Sequence, residues 1–233
     1  MPSLRGLYAI VDLDALDARG LDPLAFTEAI LRASPAAVQL RAKHAPRERT
    51  LALLSELGVR CRAHGVPLVA NDHIELALHA GCDALHVGQE DVSPVLARRI
   101  APTLALGIST HDPEQLSTAL SRSPWYVAYG PIFSTASKEQ PDPVVGIEGL
   151  RQAARIVHVF GRDHGGGVPL VAIGGIDARR AELVAEWADA VAVIAGLLPS
   201  ESAADPYEDV TARARAYAEA IARGAAKRGA ARA

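Results

Sequence analysis

Several things are scarce in this 233-residue chain, and each scarcity removes a class of protein. There are only two cysteines, Cys61 and Cys82, with no zinc-ligand or redox spacing around them. Both stand in apolar contexts and read as buried thiols. The net charge is only −3, and the cations are scattered until the last two dozen residues, so no nucleic-acid surface is indicated. No run approaches the roughly 20 apolar residues of a membrane span. The first ten residues hold Arg5 but no long apolar core of a secretory signal. A cytoplasmic location is therefore expected. Apolar residues make up 49% and charged residues 22%, enough for a large core, and the length suits one large α/β domain.

Short apolar runs alternate with amphipathic stretches along nearly the whole sequence. The predicted strands are Leu7–Val11, Ala37–Leu40, Pro67–Ala70, Ala84–Val87, Leu104–Ile108, Tyr126–Tyr129, Leu170–Ile173 and Ala190–Ile194. They are apolar throughout and bounded by Gly, Pro or Asp, as for parallel strands covered on both faces. Helical patterns lie between them: Leu24–Ala33, Glu48–His64, Ile74–Ala80, Ser93–Ile100, Pro113–Ser121, Ile147–Val157, Arg179–Glu186 and Tyr207–Arg223. Eight strand–helix units in about 200 residues predict a single (β/α)8 TIM barrel over residues 1–223, with a doubly wound open sheet as the competitor. Residues 224–233 are small and basic and read as a frayed tail. The polar segment Ser134–Gly146 follows the sixth strand and is placed for a lid. Gly161–Gly167 precedes the seventh and reads as a solvated loop.

Polar residues gather where these strands end, and that is the face on which barrel active sites lie. Asn71 and Asp72 follow the third strand; His86, Gln89 and Asp91 end or follow the fourth. Two carboxylates beside amide donors suit Mg2+, which takes a few carboxylates and completes its shell with water and substrate phosphate. Each residue also has an ordinary explanation. Asn71, Asp72 and Asp91 precede helices and could cap them; His86 reads as a satisfied core histidine, and Gln89 as loop structure or as support behind the site. The run Gln39–Lys43, with Leu40 and Ala42 inside it, ends the second strand. Alternation puts Gln39, Arg41 and Lys43 on one side, where the two cations need a diphosphate, Asp72 or Asp91 as partner. A structural ion-pair network is an equal alternative.

Ser109, at the end of the fifth strand, is placed to hydrogen-bond a phosphate. Thr135, Ser137 and Lys138, with Ala136 between, supply two hydroxyls and an ammonium after the sixth. Gly174-Gly175 after the seventh and Ile194-Ala195 after the eighth suit phosphate binding by backbone N–H groups. The sequence thus offers two anion sites. One combines Arg41, Lys43 and Lys138 with Mg2+ on Asp72 and Asp91; the other combines residues 135–137 with the backbone at Gly175 and Ile194–Ala195. Two phosphorylated small-molecule substrates would meet in one barrel. Homo-oligomerisation is compatible with such a barrel, although no decisive interface stripe stands out.

Six ordered motifs then resemble the thiamine-phosphate synthase family from Leu7 to about Leu198: Gln39-Leu40-Arg41-x-Lys43, Asn71-Asp72, His86-x-Gly88-Gln89-x-Asp91, Gly107-x-Ser109-x-His111, Gly130-Pro131-Ile132-Phe133-x-Thr135-x-Ser137-Lys138 and Ile173-Gly174-Gly175-Ile176. The resemblance implies a barrel transferase that joins a hydroxymethylpyrimidine diphosphate to a thiazole phosphate, carboxylated in many bacteria, and releases diphosphate. It implies a dissociative reaction through a pyrimidine carbocation. Arg41, Lys43, Ser109 and Lys138 would be catalytic, and Gln39–Lys43, Asn71, Ser109 and Lys138 would hold the pyrimidine diphosphate. Asp72 and Asp91 would bind Mg2+. Thr135, Ala136, Ser137, Gly175, Ile194 and Ala195 would hold the thiazole phosphate.

The chain departs from the family pattern in a few places. Ala195 stands where a hydroxyl or basic residue is common, and Ser137 replaces threonine. Glu186–Asp189 is one residue short, while Phe160–Gly167 and Glu201–Tyr207 read as additions. The rival thiazole tautomerase subgroup carries a histidine where this chain has Pro131. A non-catalytic phosphate-ligand barrel predicts lost diphosphate residues, and none is missing. Another barrel enzyme acting on a phosphorylated substrate predicts a strong acid–base pair, which is not seen.

Overall fold

A strand that is apolar on both sides can only be satisfied when covered on both sides, and a closed barrel wrapped in helices does this for every strand at once. The computed structural model, which describes residues 3–135 and 142–232, has that form. Its strands are β1 (Gly6–Asp12), β2 (Ala37–Arg41), β3 (Leu68–Asn71), β4 (Ala84–Val87), β5 (Ala105–Thr110), β6 (Tyr126–Tyr129), β7 (Leu170–Ile173) and β8 (Ala190–Val193). All run parallel in sequence order, and β1 pairs with both β2 and β8, which closes the barrel. The predicted (β/α)8 fold is the observed one, and the open sheet is excluded.

The helices are α1 (Leu13–Asp17), α2 (Pro23–Leu31), α3 (Arg47–Ala63), α4 (Ile74–His79), α5 (Pro94–Ile100), α6 (Pro113–Leu120), α7 (Gly146–Asp163), α8 (Ala178–Ala185) and α9 (Pro206–Arg232). Side-chain caps start several of them: Asp22, Ser93, Asp112 and Asp177 each accept a backbone N–H from the first turn. Proline opens α2, α5 and α6, where its missing N–H costs nothing. None of the described helices is long and apolar enough to cross a membrane.

Some boundaries differ from the sequence reading. The five-residue α1 was not foreseen; it is started by Asp12, the last residue of β1, whose carboxylate accepts from Ala15 N–H. Helix α7 runs past Val157 to Asp163 and takes in the start of the segment read as a loop. Gly161 allows this, because a Cβ there would sit 3.2 Å from Gly167 Cα. The segment from residue 224 continues α9 to Arg232 where a frayed tail was expected. The reason is contact with α8: a Cβ on Gly224 would lie 2.1 Å from the Glu182 carbonyl. Arg223 and Lys227 also pair with Glu182, and Arg228 with Asp189 at 3.2 Å.

The core has two compartments. Between strands and helices lie Leu, Ile, Val and Ala in a continuous shell. Inside the barrel a smaller set is packed, including Tyr8, Ile10, Ala37, Val69, Ala84, Tyr126, Ala128, Val171, Ala190 and Ala192. The alanines are small because the tyrosines are large. Tyr8 is flanked in register by Ala37 and Ala192, and Tyr126 by Gly107. A Cβ on Gly107 would come within 2.1 Å of the Tyr126 ring. Cys61 and Cys82 are buried free thiols, each pushed up to about 12 by burial and next by Asp83, so they are packing groups.

Candidate active site

Parallel register carries the ends of β2 to β5 to the same rim. Asn71 pairs in register with His86, and Arg41 with Asp12. The rim therefore gathers Gln39, Arg41 and Lys43 from β2 and its loop, Asn71 and Asp72 from β3, and Asp91 from the loop after β4, with Ser109 on β5 joined to them through His86. Gln39 is buried; its Nε2 donates to Asn71 Oδ1 at 2.7 Å. Lys43 donates to Asp72. Asp72 and Asp91 lie close enough for each carboxyl group to shift the other's acidity.

The capping alternative fails for both aspartates. Helix α4 is entered through His73 with no side-chain cap. Asp72 has φ +64°, a left-handed conformation uncommon outside glycine, held by its N–H donating to the His86 carbonyl at 3.0 Å. Helix α5 is capped by Ser93, while Asp91 Oδ2 accepts the Gly88 N–H at 2.7 Å.

The pair is electrostatically strained. Burial raises the Asp72 carboxyl above its ordinary range; Lys43 pulls it down and Asp91 pushes it up again. Burial also pushes Asp91 up, but the Gly88 N–H and the Asp72 carboxyl outweigh it and hold Asp91 low. A divalent cation between the two carboxylates would relieve this repulsion. The donor set fits Mg2+: hard oxygens from two protein ligands, the remaining coordination positions being those that water and substrate phosphate ordinarily fill. Among the described residues no group of three or more His, Cys, Asp or Glu stands at metal-binding distance, so a closed protein cage is absent there.

Arg41 does not pair with Asp72 or Asp91, as the sequence reading offered. Its Nη1 donates to Asp12 Oδ2 at 2.5 Å, and both side chains are largely buried. Asp12 was not singled out because it reads as the end of an apolar strand. It both caps α1 and holds Arg41. Asp12→Ala is expected to lose the cap and leave the guanidinium unpaired, costing about 2–3 kcal/mol. Asp12→Asn, which keeps a cap oxygen, should cost less. Urea unfolding of the two variants measures the difference, and equal losses would show that the cap contributes little.

Two more groups are disclosed only by the fold. Tyr8 and Tyr126 face each other inside the barrel with their hydroxyl oxygens 2.7 Å apart. His86 is a satisfied core histidine, as expected: its Nδ1 lies 2.8 Å from the Tyr126 hydroxyl and its Nε2 2.8 Å from Ser109 Oγ. Burial lowers its imidazole to about 4, so it is neutral at ordinary pH. Gln89, for which the sequence left open loop structure or a supporting place behind the site, donates to the Ser109 carbonyl at 2.5 Å.

On the other side of the rim, the loops after β6, β7 and β8 interlock. Gly175 has φ +61°, and a Cβ there would meet the Ser134 carbonyl oxygen at 2.3 Å. The Arg180 guanidinium stacks on Phe133 at 4.5 Å and donates to the Gly175 carbonyl at 3.1 Å. Ile194 leads into a 3-10 turn, Ala195–Leu197, with Ala195 exposed. Tyr217 of α9 supports this turn. Its hydroxyl donates to the Ile176 carbonyl at 3.0 Å and lies 2.0 Å from where a Gly196 Cβ would be. Thr135 is half-buried at the edge of these loops and is the last described residue before residue 142. Ala136, Ser137 and Lys138 lie outside the described residues, as do residues 139–141 of the segment read as a lid. A cavity of about 330 Å³ opens at the opposite end of the barrel, beside Arg5, Pro169 and Asp189, and none of the predicted site residues lines it.

Comparison with known proteins gives this rim a context. A family model described as thiamine monophosphate synthase matches residues 7–197. A thiamine-phosphate synthase from Chloroflexus aurantiacus is 36% identical over 210 residues, covering 90% of this chain and 89% of that protein. One from Koribacter versatilis is 41% identical over 199 residues, covering 82% and 88%. The solved structure of a thiamine phosphate pyrophosphorylase from Pyrococcus furiosus has a TM-score of 0.78 at 25% identity, covering 95% of this chain and 98% of that one.

Proposed function

The chain belongs to the thiamine monophosphate synthase family, and from that premise we propose that it couples hydroxymethylpyrimidine diphosphate to a plain or carboxylated thiazole phosphate, forming thiamine phosphate and diphosphate. The observation that carries this reading is the convergence of Arg41, Lys43, Asn71, Asp72 and Asp91 on one rim of the barrel, with Ser109 tied to them through His86. Two side-chain cations beside two carboxylates that would hold a divalent cation are what departure of a diphosphate needs.

The reaction is dissociative in this reading: the pyrimidine–CH2–O bond breaks first, both electrons leave with the diphosphate, and the thiazole nitrogen then captures the cation. Mg2+ held by Asp72 and Asp91 would supply positive charge beside the leaving diphosphate. Arg41 and Lys43 bind the same diphosphate and stabilise its growing charge, joined by Lys138 on the strength of the family motif. Asn71 donates to the diphosphate arm. Gln39 holds Asn71 in place and orients the pyrimidine with Ser109. The thiazole phosphate sits against Thr135–Ser137 and the backbone of Gly175, Ile194 and Ala195. No strong general base is required, because the bond-breaking step moves no proton.

Omission assays test this directly. Diphosphate release that needs the pyrimidine diphosphate, the thiazole phosphate and Mg2+, with thiamine phosphate formed, is expected. Isomerisation of the thiazole alone, or no reaction, would reject it. Arg41→Ala should raise KM for the pyrimidine diphosphate about tenfold or more and leave KM for the thiazole phosphate nearly unchanged. Equal increases in both would remove Arg41 from the diphosphate subsite.

A further inference from the structure

A single hydrogen-bonded chain runs through the inside of the barrel and joins two residues of the rim. It starts at Asn71 Oδ1, which accepts from Gln39 Nε2 at 2.7 Å. Gln39 Oε1 accepts from the Tyr8 hydroxyl at 2.8 Å. The Tyr8 and Tyr126 oxygens are 2.7 Å apart, Tyr126 is 2.8 Å from His86 Nδ1, and His86 Nε2 is 2.8 Å from Ser109 Oγ. Six side chains from β1 to β6 take part.

Each hydroxyl and the neutral imidazole has one proton to give, so the direction of every bond follows from the first. Tyr8 spends its proton on Gln39, so Tyr126 must donate to Tyr8. Tyr126 can then only accept from His86, which places the imidazole hydrogen on Nδ1. His86 Nε2 is left as an acceptor, and the Ser109 hydroxyl donates to it. The opposite polarity satisfies the same groups only if both amides turn over and the hydrogen moves to Nε2. The orientation of Gln39 and Asn71 selects the first. Packing supports the arrangement, since Gly107 leaves the Tyr126 ring its place and Ala37 and Ala192 flank Tyr8.

We propose that Tyr8, Tyr126 and His86 are positioning residues that fix the polarity of the rim, so that Ser109 meets the pyrimidine as an acceptor and Asn71 meets the diphosphate as a donor. This rests on the thiamine-phosphate synthase reading for the identity of the substrate, but the polarity itself does not. An acceptor at Ser109 matches the amino group of an aminopyrimidine and opposes the carbonyl of an oxopyrimidine. The buried chain is thereby a specificity device. A site built to accept one hydrogen bond rejects an analogue that cannot donate it.

The first test needs no activity. Nitrogen-15 NMR of the His86 ring in the wild-type protein should show the Nδ1–H tautomer, and an Nε2–H tautomer would overturn the proposal. The second test uses Tyr126→Phe, which keeps the ring beside Gly107 and removes the hydroxyl. His86 Nδ1 then has no acceptor, so the tautomer should move to Nε2–H and Ser109 should turn its proton outward. The kcat/KM for the aminopyrimidine diphosphate should fall about tenfold, one hydrogen bond's worth. The preference over the oxopyrimidine analogue should narrow by a similar factor, with KM for the thiazole phosphate unchanged. Tyr8→Phe should do the same, because it frees the Tyr126 proton to point at His86. An unchanged tautomer in both variants, or equal losses with both pyrimidines, would reduce the chain to packing and overturn the proposal. If the wild-type tautomer is Nδ1–H but no diphosphate is released with either pyrimidine, the functional reading fails and the polarity stands.

Discussion

Replacing Asp72 by asparagine lowers turnover about a thousandfold, roughly 4 kcal/mol of transition-state stabilisation, and leaves the unfolding transition in place. Chemistry and folding separate at this position. Asparagine is one of the few residues that tolerates the left-handed conformation Asp72 adopts, and its oxygen can still accept from Lys43. The aspartate is itself held against burial and against Asp91, so a neutral side chain relieves repulsion. Stability should be equal or higher by up to about 1 kcal/mol. What the variant lacks, in the proposed mechanism, is the second carboxylate that would hold Mg2+. Steady-state rates at saturating Mg2+, beside urea unfolding of the same preparation, check both halves. A variant retaining a tenth of the wild-type rate would remove Asp72 from the site, and a large loss of stability would mean that the aspartate is structural.

Gly175→Ala is expected to damage the other half of the rim and the fold together. An alanine there has a left-handed φ, costing about 1–2 kcal/mol. Its Cβ would also meet the Ser134 carbonyl oxygen at 2.3 Å, so the loops after β6 and β7 must separate. The total should reach about 3 kcal/mol or more. KM for the thiazole phosphate should rise at least tenfold while that for the pyrimidine diphosphate changes little. Gly165→Ala is the control, since it has φ +69° with nothing within 4 Å of the added Cβ. It should lose only the conformational part. Equal stability losses in the two variants would show that the contact with Ser134 does not matter.

Much of the barrel and its rim is legible in the amino-acid sequence. The strands are bounded by residues that stop them, so their limits fall within two residues of the predicted ones at both ends. The rim residues could be named because active sites of such barrels gather at strand ends: Lys43, Asp72 and Asp91 follow a strand, Arg41 and Asn71 end one, and Gln39 and Ser109 lie within two residues of an end. Asp12 also ends a strand but passes as a strand terminus, since its neighbours in sequence are those of an apolar strand. Tyr8 and Tyr126 pass as core. Helix α9 could not be followed to Arg232, because its last turns depend on Glu182 and Asp189, which are distant in sequence.

The barrel and the faces of its strands follow from the sequence alone, since period and punctuation are local properties of the chain. The same holds for which residue types stand at the catalytic end. The partnerships come only from packing in three dimensions. Arg41 meets Asp12, Asp72 meets both Lys43 and Asp91, and a buried chain of hydroxyls links Asn71 to Ser109. These depend on register between strands and on how two tyrosines share the space left by small neighbours. Hydrogen-bond direction is a further step removed, because it is a property of the whole chain of groups and is carried by no single residue.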